Sequence, residues 1–120
     1  MVHVLLEGSL DSVQIQSLLA ETIRKTGAEV VLCGKQAADT NSGSTGAGVA
    51  SLMGYSCVGL VSEISVEGGE FAATRLGPSG LEKISVSAPC VFTFDKGEAE
   101  LRRPNVRGIM MAKKKPIETI

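Results

Sequence analysis

A single histidine, three cysteines and one glycine-rich polar stretch are the residues of this 120-residue chain whose chemistry could exceed a structural role. His3 lies inside a short β-type run, Val2-His3-Val4-Leu5-Leu6, where a core or strand-end imidazole fits better than an acid–base catalyst. No serine sits in a G-x-S-x-G elbow, so a nucleophilic hydrolase has no visible centre. Cys33, Cys57 and Cys90 are 24 and 33 residues apart, with no CxxC or Cys/His metal spacing. Each falls in an apolar, strand-like stretch and reads as a small core residue in a reducing compartment.

The stretch Asn41-Ser42-Gly43-Ser44-Thr45-Gly46-Ala47-Gly48 is the better lead. It supplies three small hydroxyls and three glycines just before a helical pattern. Open α/β sheets bind ligands where a strand's carboxyl end feeds a helix N-terminus, and exposed N–H groups with the helix dipole favour a phosphate there. The stretch is neither a P-loop, having no GK[ST], nor a G-x-G-x-x-G fingerprint. On composition alone it suits an ordinary βα turn and a nucleotide cradle equally.

The elements that must position this loop are legible around it. Asp11 followed by Gln14 predicts a capping box opening a helix whose apolar stripe is Ile15, Leu18, Leu19 and Ile23, stopped by Gly27. Val30-Val31-Leu32-Cys33 reads as a strand buried on both faces of a parallel sheet. Val49 to Met53 predicts a short helix closed by Gly54, and Cys57 to Val61 the next strand. With Val2–Leu6 as a first strand, the order is β-α-β-loop-α-β, a parallel layer. Residues 62–87 then read as a small antiparallel insertion turning at Gly68-Gly69 and again at Gly77–Gly80, and 90–94 as a strand returning to the main sheet. The segment 104–115 predicts a short basic helix beginning near Pro104.

Charge and composition narrow the function classes. Residues 1–100 hold six bases against twelve acids, whereas 101–120 hold six bases against Glu118 alone. An acidic body thus carries a basic tail, read either as a solvated helix end or as a docking surface. Without Trp, and with one Tyr and three Phe, the chain has no aromatic platform for stacking bases, and nucleic acid is not expected as a partner. No apolar run approaches about 18 residues, so no membrane span is expected. The N-terminus has neither a basic n-region nor an Arg-rich presequence, and a single cytoplasmic domain over 1–120 is the expectation.

Three separate segments carry a family resemblance. Val31-Leu32-Cys33-Gly34-Lys35-Gln36-Ala37-Ala38-Asp39 resembles the strand and loop of electron transfer flavoprotein β subunits. The stretch Arg75 to Thr93, with Glu82, Ile84 and Pro89-Cys90-Val91-Phe92-Thr93, is similar to the family's signature before its last sheet strand. Ile109 to Glu118 matches the family's IMKAKKKPIE ending, with Met111 in place of a usual lysine. The resemblance implies an α/β, Rossmann-like parallel sheet of the adenine nucleotide α-hydrolase kind, with the antiparallel hairpin insertion, incomplete relative to the family. It also implies an electron carrier subunit rather than a catalyst, holding AMP or FAD and pairing with an α subunit that carries FAD. A dehydrogenase of the acyl-CoA type is the implied redox partner.

Carried over by position, the phosphate would lie over Asp39, Asn41, Ser42, Gly43, Ser44, Thr45 and Gly46, of which Asp39, Thr45 and Gly46 fit the family loop. Thr40 and Asn41 stand where acids are common, Gly43 where Asn is usual and Ser44 where Gln is usual. In the tail, the family's apolar docking anchor falls on Val106, flanked by Arg103 and Arg107 and followed by Lys113, Lys114 and Lys115. Family β subunits are about twice as long, and nothing here matches their opening βαβα segment or their C-terminal arm. The alternative reading is a cofactor-free interaction module derived from that family, for which a homodimer is expected because a half-sheet leaves apolar edges uncovered.

Overall fold

Asp11 opens helix α1 (Ser12–Thr26) with the reciprocal cap that its spacing to Gln14 predicts. The Asp11 carboxylate accepts from the Gln14 amide at 2.8 Å, and the Gln14 side-chain oxygen accepts from the Asp11 amide at 2.9 Å. Gly27 ends the helix at φ +70°, in the left-handed region that its missing Cβ permits. The buried position of α1 is Ala20 rather than the whole predicted stripe. Leu18 and Ile23 are half-buried, but Ile15 and Leu19 stay exposed.

The chain is seen here in a computed structural model that describes residues 1–96 and 99–120. They fall into two units, Leu10–Glu98, and Met1–Ser9 with Ala99–Ile120. In the larger unit α1 is followed by β2 (Val30–Gly34), α2 (Thr45–Met53), β3 (Ser56–Glu67), β4 (Glu70–Gly77), β5 (Gly80–Val86) and β6 (Cys90–Phe94). The sheet order is β2-β6-β3-β4-β5, parallel from β2 through β6 to β3 and antiparallel from β3 to β5. This is a mixed α/β layer of the Rossmann-like class, with the return strand 90–94 in the main sheet. Three local expectations change. Helix α2 starts at Thr45, four residues before Val49, because Gly46 and Gly48 mask its helical pattern in the sequence. The strand at 57–61 and the first strand of the insertion are one 12-residue strand, β3. And β2, which reads as buried on both faces, is an edge strand that leaves Leu32 exposed.

Register shows how the core forms. Cys90, Phe92 and Phe94 on β6 share a face with Val30 on β2 and with Val58 and Val61 on β3. Between Val58 and Val61 the register of β3 slips in a bulge, where Leu60 takes φ +58°. Beyond it β3 leaves β6 and pairs with β4, so Phe71, Ala73, Ile84 and Val86 of the meander pack against the same core. Phe71 meets Phe92 edge-on, with ring centroids 5.8 Å apart and planes at 65°. The Gly68-Gly69 turn has both φ values positive, the signature of a type I′ two-residue hairpin.

In the smaller unit, β1 (Val2–His3) pairs in parallel with β7 (Glu118–Thr119), not with the main sheet as the sequence pattern suggests. Two residues with an exposed His3 are all that remains of the predicted first strand. Helix α3 (Val106–Ala112) is capped by Asn105, whose side-chain oxygen accepts from Gly108 N–H at 2.7 Å. The cap sets the start at Val106, so Pro104 lies outside, and Lys113 to Lys115 continue as turns rather than helix.

Phe92 is fully buried on β6, in the parallel half, and meets Phe71 of the antiparallel meander. Phe92→Ala is expected to destabilise the fold by about 3–5 kcal/mol, read as a lowered urea midpoint.

Candidate functional site

The loop after β2 is fastened at both ends. Lys35 N–H donates to Phe94 O at 2.8 Å, and the Lys35 ammonium pairs with Asp95 at 2.9 Å. Between them the chain closes on itself. Ala37 N–H donates to Ser42 O at 3.1 Å, Asn41 N–H to Ala37 O at 3.0 Å, and Ser42 N–H to the Thr40 hydroxyl at 3.3 Å. Asn41 sits at φ +52°, a conformation asparagine tolerates better than most residues.

At the far end of the loop stands Ser44, the residue before α2. Its side chain makes no capping bond to the helix and instead accepts from the Gln16 amide of α1 at 3.2 Å. The first-turn N–H groups of α2 have no intrahelical acceptor by helix geometry and are left without a side-chain cap. Gly46 is required here by close packing. A Cβ at that position would lie 2.5 Å from the Thr93 methyl and 3.6 Å from Cys33 Cβ. Its absence lets α2 approach β2 and β6.

Loop, β2 end and the starts of both helices enclose a cleft of about 590 Å³, within the usual range for small-molecule sites. Of the residues singled out in the sequence, Asp39, Ser42 and Thr45 line it. Asn41, Gly43, Ser44 and Gly46 shape the loop and the helix start without lining it. Sequence reasoning did not assign to the site Ser12 and Ile15 of α1, nor Cys33, Lys35, Gln36 and Thr40, which also line the cleft. Lys35 and Gln36 had a signal in their place directly after the strand. Ser12 and Ile15 had none, because only packing brings α1 there.

The electrostatics are mild. Lys35 faces Asp95, whose carboxyl is held below its ordinary range by the ammonium and by the Lys96 N–H. Burial pushes the Cys33, Cys57 and Cys90 thiols up, with nearby Cys57 adding to the shift at Cys33. Raised thiols are poor nucleophiles. Only Cys90 is fully buried, and Cys57, expected in the core, is exposed. Among the described residues no cluster of His, Cys, Asp and Glu could hold a metal, and no helix is long and apolar enough to cross a membrane.

The predicted docking residues lie in the smaller unit. Arg103 precedes α3, Val106 and Arg107 form its first turn, and Lys113 to Lys115 follow it, all exposed. Val106 is 75% exposed, an apolar knob between two arginines in sequence.

A parallel-centred sheet with a cleft at a strand's carboxyl end defines an α/β protein of the Rossmann-like class. The chain belongs to the electron transfer flavoprotein domain family, whose profile matches residues 4–120. It is 33% identical over 111 residues to the electron transfer flavoprotein subunit beta of Bradyrhizobium diazoefficiens, covering 92% of this chain and 45% of that protein. The human subunit beta is also 33% identical over 111 residues, covering 92% and 44%. The Bacillus subtilis subunit beta is 30% identical over 110 residues, covering 92% and 43%. The chain therefore spans less than half the length of these curated relatives.

Two outcomes follow from the site's construction. Gly46→Ala is expected to cost about 1–3 kcal/mol by overpacking, and adding Thr93→Ser, which removes the opposing methyl, should restore most of it in denaturant titrations. The Asp95 carboxyl lies low in the folded state, so its contribution to stability is present above the ordinary carboxylate range and is lost as pH falls through the lowered value. Lys35→Ala should move the Asp95 titration, followed by carboxyl NMR shifts, back up towards the ordinary value.

Proposed function

We propose that this chain is an electron transfer flavoprotein β-like subunit that binds the adenylate end of AMP or FAD in the cleft after β2. The observation that carries the reading is the uncapped first turn of α2 opening beside Thr45, Ser42 and Lys35 at the carboxyl end of a parallel strand. The donor set fits a phosphate. Backbone N–H groups and hydroxyls would hold its oxygens, while Lys35, already paired with Asp95 and near Asp39, adds little net positive charge. Weak binding is the consequence. A flavin, when bound, supplies the redox chemistry; this chain's residues bind and orient.

The partner classes follow from the same family membership: an electron transfer flavoprotein α-like subunit, and a dehydrogenase of the acyl-CoA type met by Arg103, Val106, Arg107 and Lys113 to Lys115. An exposed aliphatic knob with flanking cations suits an acidic partner surface. A cofactor-free interaction module is the second reading, favoured by a loop whose polar groups bond mainly to one another.

Purified protein should retain AMP or FAD by mass spectrometry, or bind one in calorimetric titration. Thr45→Ala and Ser42→Ala are each expected to weaken that binding by about 2–10-fold. A protein that carries no nucleotide and titrates with none would sink the cofactor-binding reading and leave the interaction module.

A further inference from the structure

Lys35 is the one cation among the described residues that line the cleft, yet its charge is directed elsewhere. Its backbone is fixed, because Lys35 N–H donates to Phe94 O at 2.8 Å, while its side chain is a flexible four-carbon stem. The ammonium lies 2.9 Å from Asp95, which is not part of the lining. Asp95 is itself held in place just past the end of β6. Its N–H donates to Val61 O at 3.1 Å, and its Oδ1 accepts from Lys96 N–H at 2.8 Å as well as from Lys35. The two side chains are 38% and 44% exposed, so water reaches both, and an ion pair so placed holds weakly. Asp95 also keeps the Lys96 N–H when the ammonium leaves. The pair is built to part.

We propose that Lys35 exchanges partners: Asp95 holds its ammonium when no anion is bound, and a terminal phosphate monoester in the cleft takes it over. This exchange rests on the nucleotide reading above. A monoester carries about −1.5 to −2 charge at neutral pH and three acceptor oxygens, against the single charge of a carboxylate. AMP therefore outcompetes Asp95 for the ammonium. Each phosphate of FAD is a diester with a single charge, no more than Asp95 already offers. The cleft is thereby selective for AMP over FAD. Asp39, the other charged residue of the lining, accepts from Thr40 N–H at 2.8 Å and makes no ion pair with Lys35 among the described residues. Lys35 thus has one carboxylate to leave, and Asp95 is a positioning residue that acts on the ligand through it.

A double-mutant cycle, read by calorimetric titration of the full chain with AMP, tests the exchange. Both substitutions leave the backbone bonds of Lys35 and Asp95 in place. Asp95→Asn keeps an acceptor for Lys96 N–H, releases the ammonium and should tighten AMP by about 2–5-fold. Lys35→Met keeps the stem and should weaken AMP by about 3–10-fold, while leaving FAD affinity unchanged. In the Lys35→Met background, Asp95→Asn should have no further effect, because it acts through Lys35. A spectroscopic readout separates this from a change in stability. AMP added to the wild-type chain at neutral pH should move the Asp95 carboxyl carbon resonance in the direction in which Lys35→Met moves it. If neither the wild-type chain nor Asp95→Asn takes up AMP, the nucleotide reading and the exchange fall together. If AMP binds, the exchange alone is overturned by any of four results: unchanged AMP affinity in Lys35→Met, an equal loss for FAD, an Asp95→Asn effect that persists without Lys35, or an Asp95 resonance that AMP leaves in place.

Discussion

Thr93 joins the two halves of the larger unit through opposite ends of one side chain. Its hydroxyl accepts from Leu60 N–H at 3.3 Å inside the bulge of β3, and its methyl meets the space that Gly46 leaves open in α2. The first contact supports a residue at φ +58°, a conformation that costs a leucine about 1 kcal/mol or more when unsupported. The second sets how closely the helix N-terminus approaches the sheet. The bulge lets one strand serve a parallel pair on one side and an antiparallel meander on the other. Phe71, Ile84 and Val86 of that meander pack against the core cluster that holds Phe92.

The cleft depends on the same arrangement. Its floor is the end of β2, its walls are the loop from Lys35 to Ser42 and the starts of α1 and α2, and no single element could form it. Small residues set the spacings. Gly46 admits β6 and β2, while Gly48 gives its space to the Gln16 side chain, whose amide also holds Ser44 away from the capping role. A phosphate-type ligand would take up the amides that Ser44 leaves uncapped. On the proposed nucleotide reading, backbone dipoles would contribute more than side-chain charge, because Lys35 is already paired with Asp95.

Much of this was legible before any coordinates. The Asp11–Gln14 box, the Gly27 and Gly54 helix ends, the Gly-Gly hairpin and the return strand at 90–94 are local or strongly patterned, and each stands where its residues put it. The misreadings share one cause. Val2–Leu6 has the composition of a strand, but a strand is defined by its partner, and here that partner is Glu118–Thr119. Cys57 looks like a core residue because its run is apolar, yet its position in the sheet leaves it exposed. In the cleft, the loop residues could be guessed from type and spacing, whereas Ser12 and Ile15 arrive by packing from more than 20 residues upstream of Gln36.

The sequence alone determined the family, the Asp11 start and Gly27 end of α1, the Gly54 end of α2, and the acidic body and basic tail. These are carried by neighbours in the chain, through hydrogen bonds and charges that need no distant partner. Tertiary structure decided which strands are interior and which are edges, which of seven loop residues line a cleft, and where a glycine is irreplaceable. Those depend on contacts between segments far apart in sequence. For this reason the apolar run of β2, which by itself reads as a strand buried on both faces, has Leu32 exposed and pairs only with β6 among the described residues.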